Sequence, residues 1–295
     1  MIGRIYKIAG TDCEVRAGEV LLRCRFRGRL RKQRQPTGKL AAVGDMVEVT
    51  PTGAGEGAIE GVFPRRSKFS RRDILRPSVE QVIVANVDYL VIVQSARDPD
   101  FNEIVADKCT VMAAANGLPC VVCLNKIDLG RPDLSAYERA GFACVRTSAR
   151  TGEGLEDLRR AMKGRTSVFL GPSGVGKSSL LNALEPGSRL KVGEVSRHGE
   201  GRHTTSWVEL MDAGGGVAAD TPGLEFFTLW GVTAENLKDM FLDFADMAGG
   251  CRFRNCSHTV EEGCAVRGRV AESRYRSYRE ILEDLQARRD VFRKG

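Results

Sequence analysis

The chain has 295 residues, 42% apolar and 28% charged, which gives room for two or three domains with sizeable cores and excludes a low-complexity or fibrous protein. Its nine cysteines are odd in number and scattered, a usage that fits cytosolic thiols and a metal site better than a disulfide framework. The net charge of +7 is unevenly spread: residues 1–72 carry sixteen Lys and Arg against seven Asp and Glu, so one end of the molecule is a concentrated positive field. No apolar stretch of signal-peptide type follows Met1. The longest apolar run, VIVANVDYLVIV, is broken by Asn86 and Asp88 and is too short to span a bilayer, so a cytoplasmic protein with no membrane partner is expected.

In chain order, the first 72 residues show short alternating runs punctuated by Gly and Pro, the pattern of a small all-β domain, with strand count and basic loops suggesting an OB-like barrel. From Leu22 to Arg31 the odd positions Arg23, Arg25, Arg27, Arg29 and Arg31 are all arginine and the even positions are small or apolar. On a strand this predicts one face in the core and a row of guanidiniums on the other, spaced roughly 6.5–7 Å apart. Lys32 and Arg34 extend the row into a loop. Like charges so aligned suit an RNA track, and the absence of aromatics on that face favours phosphate and shape recognition over base reading; a solvated face would ordinarily mix signs.

From Ile83 the texture changes to buried strand, helix, buried strand: DYLVIVQS, FNEIVADKCTVMAAANG, LPCVVCLNK, then FACVRTS, a helix from about Gly154 to Met162, SVFLG and a helix from Lys177. This alternation predicts a parallel sheet with helices on both faces over residues 73–230. Cys120 and Cys123, three apart on one strand, fall on opposite faces and read as core thiols. After TTSWVELM, GVAAD and TPG the pattern breaks near Trp230, and the tail, 231–295, reads as helical at both ends around a Cys/His cluster.

Gly171, Gly176, Lys177 and Ser178 satisfy GxxxxGKS between an apolar strand and a helix, the setting in which backbone N–H groups wrap phosphates, Lys177 reaches the outer phosphates and Ser178 ligates Mg²⁺. Ser173, Gly174, Val175 and Ser179 complete the nucleotide-binding loop and the first helical turn. Asn125, Lys126 and Asp128 match NKxD, and an Asp there accepts both hydrogen bonds of the guanine N1 and N2 edge, which adenine lacks. Ser148 and Ala149 resemble the GTPase motif that contacts the guanine oxygen. Asp220 and Gly223 of DTPG resemble the motif in which Asp holds Mg²⁺ through water and Gly senses the γ-phosphate. Between them, VGEVSRHGEGRHTTSW reads as a loop whose Thr204 or Thr205 closes onto Mg²⁺; resemblance to related GTPases favours Thr205. Leu224 follows DTPG where many small GTPases carry a water-orienting glutamine, which makes His203 the local candidate for handling that water, against the reading of a solvated loop histidine.

Cys251, Cys256, His258 and Cys264 form CxxxxCxHxxxxxC, which reads as a closed four-coordinate structural zinc site. With a basic β barrel, NKID, SA, GPSGVGKSS, GRHTT, DTPG and this tail in one order, the whole chain resembles the bacterial ribosome small-subunit-dependent GTPase A family. The resemblance implies a circularly permuted GTPase domain between an OB domain and a zinc domain, a monomer that acts on GTP and GDP, and binding to the small (30S) ribosomal subunit and its rRNA. It further implies action late in subunit maturation, hydrolysis stimulated by the subunit, and a catalytic role for His203 in its GRHTT context. Relatives that use potassium hold it with a P-loop asparagine; Gly174 stands at that position. A nucleotide-sensing RNA-binding module with incidental turnover, or a GTPase acting on messenger or transfer RNA, remain alternatives. The chain leaves DTPG through LEFFTLW directly into the zinc domain, so loss of the γ-phosphate is expected to reorient that domain.

Overall fold

Alternating inward and outward residues build β1 (Ile2–Ala9), β2 (Asp12–Ala17), β3 (Val20–Phe26), β4 (Met46–Gly53) and β5 (Glu56–Val62) in the computed structural model, which describes residues 1–31, 40–73, 76, 78–187, 208–221 and 229–293. The inward side chains, among them Ile5, Val15, Leu22, Cys24, Val47 and Ile59, form one buried cluster. The order β1-β2-β3-β5-β4, with β4 returning to β1, closes these strands into the expected five-stranded barrel; β3 and β5 run parallel and the other pairs antiparallel. Gly57 permits the close crossing inside it, since a Cβ there would lie 2.7 Å from Val49 Cγ1.

The arginine row differs from the sequence expectation. β3 ends at Phe26, and Gly28–Arg31 forms a short helical turn, α1, so Arg29 and Arg31 do not continue the strand face. Strand pairing sets this limit: Phe26 is the last residue of β3 in register with β5, opposite Ile59. Arg23, Arg25 and Arg27 are exposed, but the face mixes signs across neighbouring strands. Asp12 of β2 takes Arg23 Nη2 at 2.6 Å and Arg25 Nε at 2.7 Å, and Glu60 of β5 takes Arg27 Nε at 2.9 Å. Lys32 and Arg34 lie outside the described residues.

A hairpin that the sequence reading did not anticipate, β6 (Lys68–Arg72) and β7 (Glu80–Ala85), follows the barrel and spans residue 72. The fully buried Asp45 binds the Arg65 guanidinium at 2.7 and 2.8 Å and accepts from Ala42 N, tying barrel to connector.

Six further strands form the second body: β8 (Tyr89–Ser95), β9 (Cys120–Asn125), β10 (Ala143–Arg146), β11 (Thr166–Leu170), β12 (Glu209–Ala213) and β13 (Gly216–Asp220). They order as β10-β9-β8-β11-β13-β12, parallel except for β12. Helices α2 (Glu103–Ala115), α3 (Ser135–Arg139), α4 (Leu155–Met162) and α5 (Lys177–Leu184) connect them. Leu90 and Ile92 pack with Cys109 and Met112 of α2 on one face; Val91 and Val93 pack with Leu158 and Leu180 on the other. Cys120 and Cys123 join different clusters, as their spacing requires. The edge strand β12 pairs with β1 of the barrel at Lys7 and Glu209, making one continuous sheet of eleven strands.

Beyond a 3₁₀ turn at Leu237–Met240, α6 (Leu242–Ala248) and the long α7 (Glu272–Arg293) flank the Cys/His cluster. α7 lies along α2. Arg274, fully buried, bonds Asp107 of α2 and grips Asp243 of α6 through Nη2 at 2.9 Å and Nε at 3.2 Å. No helix among the described residues is long and apolar enough to cross a membrane.

Candidate functional site

Parallel strands deliver their C-terminal ends to one edge of the sheet, where ligands of open α/β sheets bind. Gly171 leaves β11 at φ +151, with its hypothetical Cβ only 2.1 Å from Val93 O, so the backbone must be glycine to turn there. The loop ends at Gly176, the N-cap of α5, in the left-handed region at φ +93. Lys177 Nζ donates to Gly171 O and Pro172 O at 2.9 Å each, folding the ammonium back over the GxxxxGKS loop. Ser173 and Gly174 are exposed at the crest, where a Cβ on Gly174 would sit 3.4 Å from Pro99 Cδ; Ser179 continues the first turn of α5.

Ser178 Oγ donates to Asp220 Oδ2 at 2.7 Å. The other oxygen, Asp220 Oδ1, is buried and has no hydrogen-bond partner among the described residues. A hydroxyl and a carboxylate with a spare buried oxygen, beside a phosphate loop, are the hard oxygen donors that Mg²⁺ takes directly or through water, so these residues fit the ion.

The guanine motifs converge on the same loop. Asn125, almost fully buried, donates from Nδ2 to Val175 O at 2.9 Å, while its Oδ1 accepts from Ala149 N at 3.2 Å. One side chain thereby fixes NKID, SA and the phosphate loop relative to one another. Lys126, at φ +59, reaches across to donate to Asp98 O. Asp128 Oδ1 accepts from Ser148 Oγ at 2.6 Å, and Arg150 Nη1 stands 3.9 Å from Oδ2. The Ser148 hydroxyl above all, helped by the Arg150 and Lys126 charges, holds the Asp128 carboxyl below its ordinary range, so it is ionised and able to accept two donors. Arg150 and the Asp98–Pro99 segment were not singled out from sequence. Arg150 carries a readable signal, since it directly follows Ser148 and Ala149, whereas nothing local marks Asp98 and Pro99 as neighbours of Lys126 and Gly174. His203, Thr204, Thr205 and Gly223 lie outside the described residues.

The second centre is the tail cluster. The ligand atoms of Cys251, Cys256, His258 and Cys264 all lie within 4.8 Å of one another, with His258 Nδ1 3.6 Å from Cys251 Sγ and 3.5 Å from Cys264 Sγ. Tetrahedral zinc bonds of about 2.0–2.3 Å place donors roughly 3.5–3.8 Å apart, so three thiols and this imidazole fit the ion. Burial holds His258 in its neutral, ligating form. Ala265 N and Arg267 N donate to Cys251 Sγ and Cys264 Sγ at 3.3 and 3.4 Å, and the Arg267 bond favours the Cys264 thiolate. Tyr275 and Tyr278 of α7 donate to His258 O and Ser257 O, and Glu261 accepts from Ser257 N and Thr259 N, fixing the loop that carries the imidazole.

The RsgA GTPase family model matches residues 62–230, and the RsgA N-terminal domain model matches residues 2–59. The chain is 42% identical to the small ribosomal subunit biogenesis GTPase RsgA of Gemmatimonas aurantiaca, with 89% of this chain and 90% of that protein covered, and 38% identical to the protein of the same name from Chlorobaculum tepidum, with 96% and 97% covered. Among solved structures, YjeQ from Thermotoga maritima superposes with a TM-score of 0.75 at 32% identity, covering 97% of this chain and 98% of the other. YloQ, a circularly permuted GTPase, gives 0.74 at 29%, covering 97% and 95%. On both the matched models and this near full-length similarity, the chain belongs to the RsgA GTPase family.

Proposed function

We propose that this protein is a GTPase that binds the small ribosomal subunit, assists its late maturation and hydrolyses GTP to GDP and phosphate when the subunit's RNA engages it. The Asn125 side chain carries this reading: by bonding Val175 O and Ala149 N together it joins base recognition to the phosphate loop in one pocket. The relatives named as small ribosomal subunit biogenesis GTPases support the partner.

Asp128 accepts the guanine N1 and N2 donors, with Ser148 and Ala149 closing the base edge. Lys177 exchanges the carbonyls of Gly171 and Pro172 for the outer phosphates, and the α5 N-terminus behind Gly176 supplies N–H donors. Ser178, Thr205 and, through water, Asp220 would hold Mg²⁺, which would supply neutralisation of the phosphate charge. Gly223 senses the γ-phosphate, and His203 orients the attacking water that Leu224 cannot. Zinc in the Cys251, Cys256, His258 and Cys264 centre is structural, because four protein ligands leave no open position. The division at 1–72, 73–230 and 231–295 puts its first boundary within the β6–β7 hairpin, the molecule is a cytoplasmic monomer, and GDP promotes release from RNA contacted by Arg23, Arg25 and Arg27 and by Arg29, Arg31, Lys32 and Arg34 beyond the β3 face.

Leu224 also supports a second reading, a nucleotide-sensing RNA-binding module with incidental turnover. Steady-state GTP turnover with and without purified small subunits separates the two. Strong stimulation that His203→Ala abolishes without weakening GTP binding is the expected result; nucleotide-dependent binding without stimulation supports the second reading.

A further inference from the structure

The two oxygens of the Asp128 carboxylate are served unequally. Oδ1 accepts from Ser148 Oγ at 2.6 Å, and that hydroxyl itself accepts from Thr151 N at 3.1 Å, so its proton is committed to Asp128. Oδ2 has Arg150 Nη1 at 3.9 Å, an ion-pair distance too long for a hydrogen bond. Oδ2 therefore keeps room to accept from a ligand, with a guanidinium one side-chain rotation away.

The loop carries Arg150 on a fixed stem. Ala149 N is held by Asn125 Oδ1 at 3.2 Å, Thr151 N by Ser148 Oγ, and Gly152 N donates to Ser148 O at 2.9 Å. The Arg150 side chain is 81% exposed, so it is free to turn. Glu153, the next carboxylate along the loop, is taken by Arg131 Nη2 at 2.7 Å and does not draw Arg150 away from Asp128.

Guanine brings two donors to a carboxylate, N1–H and the amino group at C2. Hypoxanthine differs only in lacking that amino group, so one carboxylate oxygen loses its ligand partner, and an oxygen left unpaired is what ordinarily rejects such an analogue. Ser148 precedes Ala149, the residue matched to contact with the guanine oxygen at C6. Its hydroxyl thus approaches the carboxylate from the N1 side, which leaves Oδ2 for the amino group.

We propose that Arg150 is a specificity-determining residue of the base site: with a hypoxanthine nucleotide its guanidinium turns onto Asp128 Oδ2, replaces the missing amino donor and narrows the preference for guanine. This rests on the reading of Asp128 as the acceptor of the guanine N1 and N2 donors. It adds a residue that sets how strictly the second of those donors is required.

The test is calorimetric titration of the full-length protein with GDP, IDP and ADP. The charge of Arg150 attracts every nucleoside diphosphate alike, so the ratio of the IDP to the GDP dissociation constant isolates its action at Oδ2. Arg150→Ala is expected to raise that ratio roughly two- to fivefold, as the loss of an exposed ion pair would, chiefly by weakening IDP. Arg150→Lys keeps the charge and is expected to recover part of the difference. High salt screens an exposed pair, so the wild-type ratio is expected to climb with ionic strength while that of Arg150→Ala stays level. Circular dichroism melts matching the wild type establish that the variants are folded. A ratio that is unchanged or lowered in Arg150→Ala overturns the proposal. If the wild-type protein binds GDP no more tightly than ADP, the guanine reading of Asp128 fails and the proposal with it; a clear preference for GDP over ADP beside an unchanged IDP ratio refutes the role of Arg150 alone.

Discussion

Replacing Arg274 by Met tests how the tail is fastened to the GTPase domain. Arg274 is the only cation bonded to Asp107 among the described residues, and it grips Asp243 with two bonds; its guanidinium also lies 4.8 Å from the Phe241 ring centre and 5.3 Å from that of Phe142. Methionine keeps much of the stem but leaves two carboxylates buried without a counter-charge. Breaking a buried pair in this way costs about 3–5 kcal/mol. Desolvation already pushes Asp107 up to about 6, against the pull of Arg274. Without that pull the Asp107 carboxyl is driven further up and takes up a proton on folding at pH 7. A carboxyl with a raised folded pKa costs nothing below its unfolded value near 3.8 and progressively more as pH rises through the folded value. Urea unfolding followed by circular dichroism is therefore expected to show the loss of about 3–5 kcal/mol at pH 7 and a smaller one at pH 5. Adding Asp107→Asn and Asp243→Asn to Arg274→Met removes the stranded charges and recovers most of the loss. A single variant within about 1 kcal/mol of wild type, or a triple variant no better than the single one, refutes the reasoning.

Gly176→Ala would place a Cβ 2.4 Å from Asn125 Nδ2 at φ +93, displacing the side chain that joins base and phosphate motifs. GTP affinity measured by calorimetry is expected to fall by about 2–4 kcal/mol, with the fold retained, and an unaltered affinity would contradict the role given to Asn125. In the loop of the Cys/His cluster, desolvation raises the Glu261 carboxyl but the Ser257 and Thr259 N–H bonds outweigh it and bring it to about 2. Its stabilisation is present above the ordinary value near 4.5 and lost as pH falls through about 2. Glu261→Gln should lower Tm by a few degrees at pH 7, about 2–4 °C, and by much less near pH 2.5; a difference independent of pH excludes the carboxylate as the cause.

The convergence of the GxxxxGKS, NKxD and SA motifs was legible because each motif needs a fixed backbone at a strand end, and both the glycines and the flanking apolar runs are local. Barrel strands were legible from alternation. Alternation without a partner is not a strand, however, and the arginine pattern continues past Phe26 while the β3–β5 register does not. What neutralises Arg23, Arg25 and Arg27 was invisible for a related reason: Asp12 and Glu60 arrive from neighbouring strands. Arg274 sits in a helix so rich in charge that it reads as a solvated face, and its partners Asp107 and Asp243 lie 167 and 31 residues away in the chain. The β6–β7 hairpin hides in a segment carrying Pro77 and six charged side chains, counted from Lys68 to Glu80 inclusive.

The place of β11 between β8 and β13 has a consequence for synthesis on the ribosome. β8, β9 and β10 leave the tunnel before β11 and can pair as a half-sheet carrying the NKxD motif, but one edge of β8 then has no neighbour until β11 has been made. An unpaired apolar edge is a site for wrong pairing. The strand that brings the GxxxxGKS loop is also the strand that covers this edge, so the NKxD and GxxxxGKS motifs come together as the β8 edge closes, and the open edge passes to β11 until β13 is made.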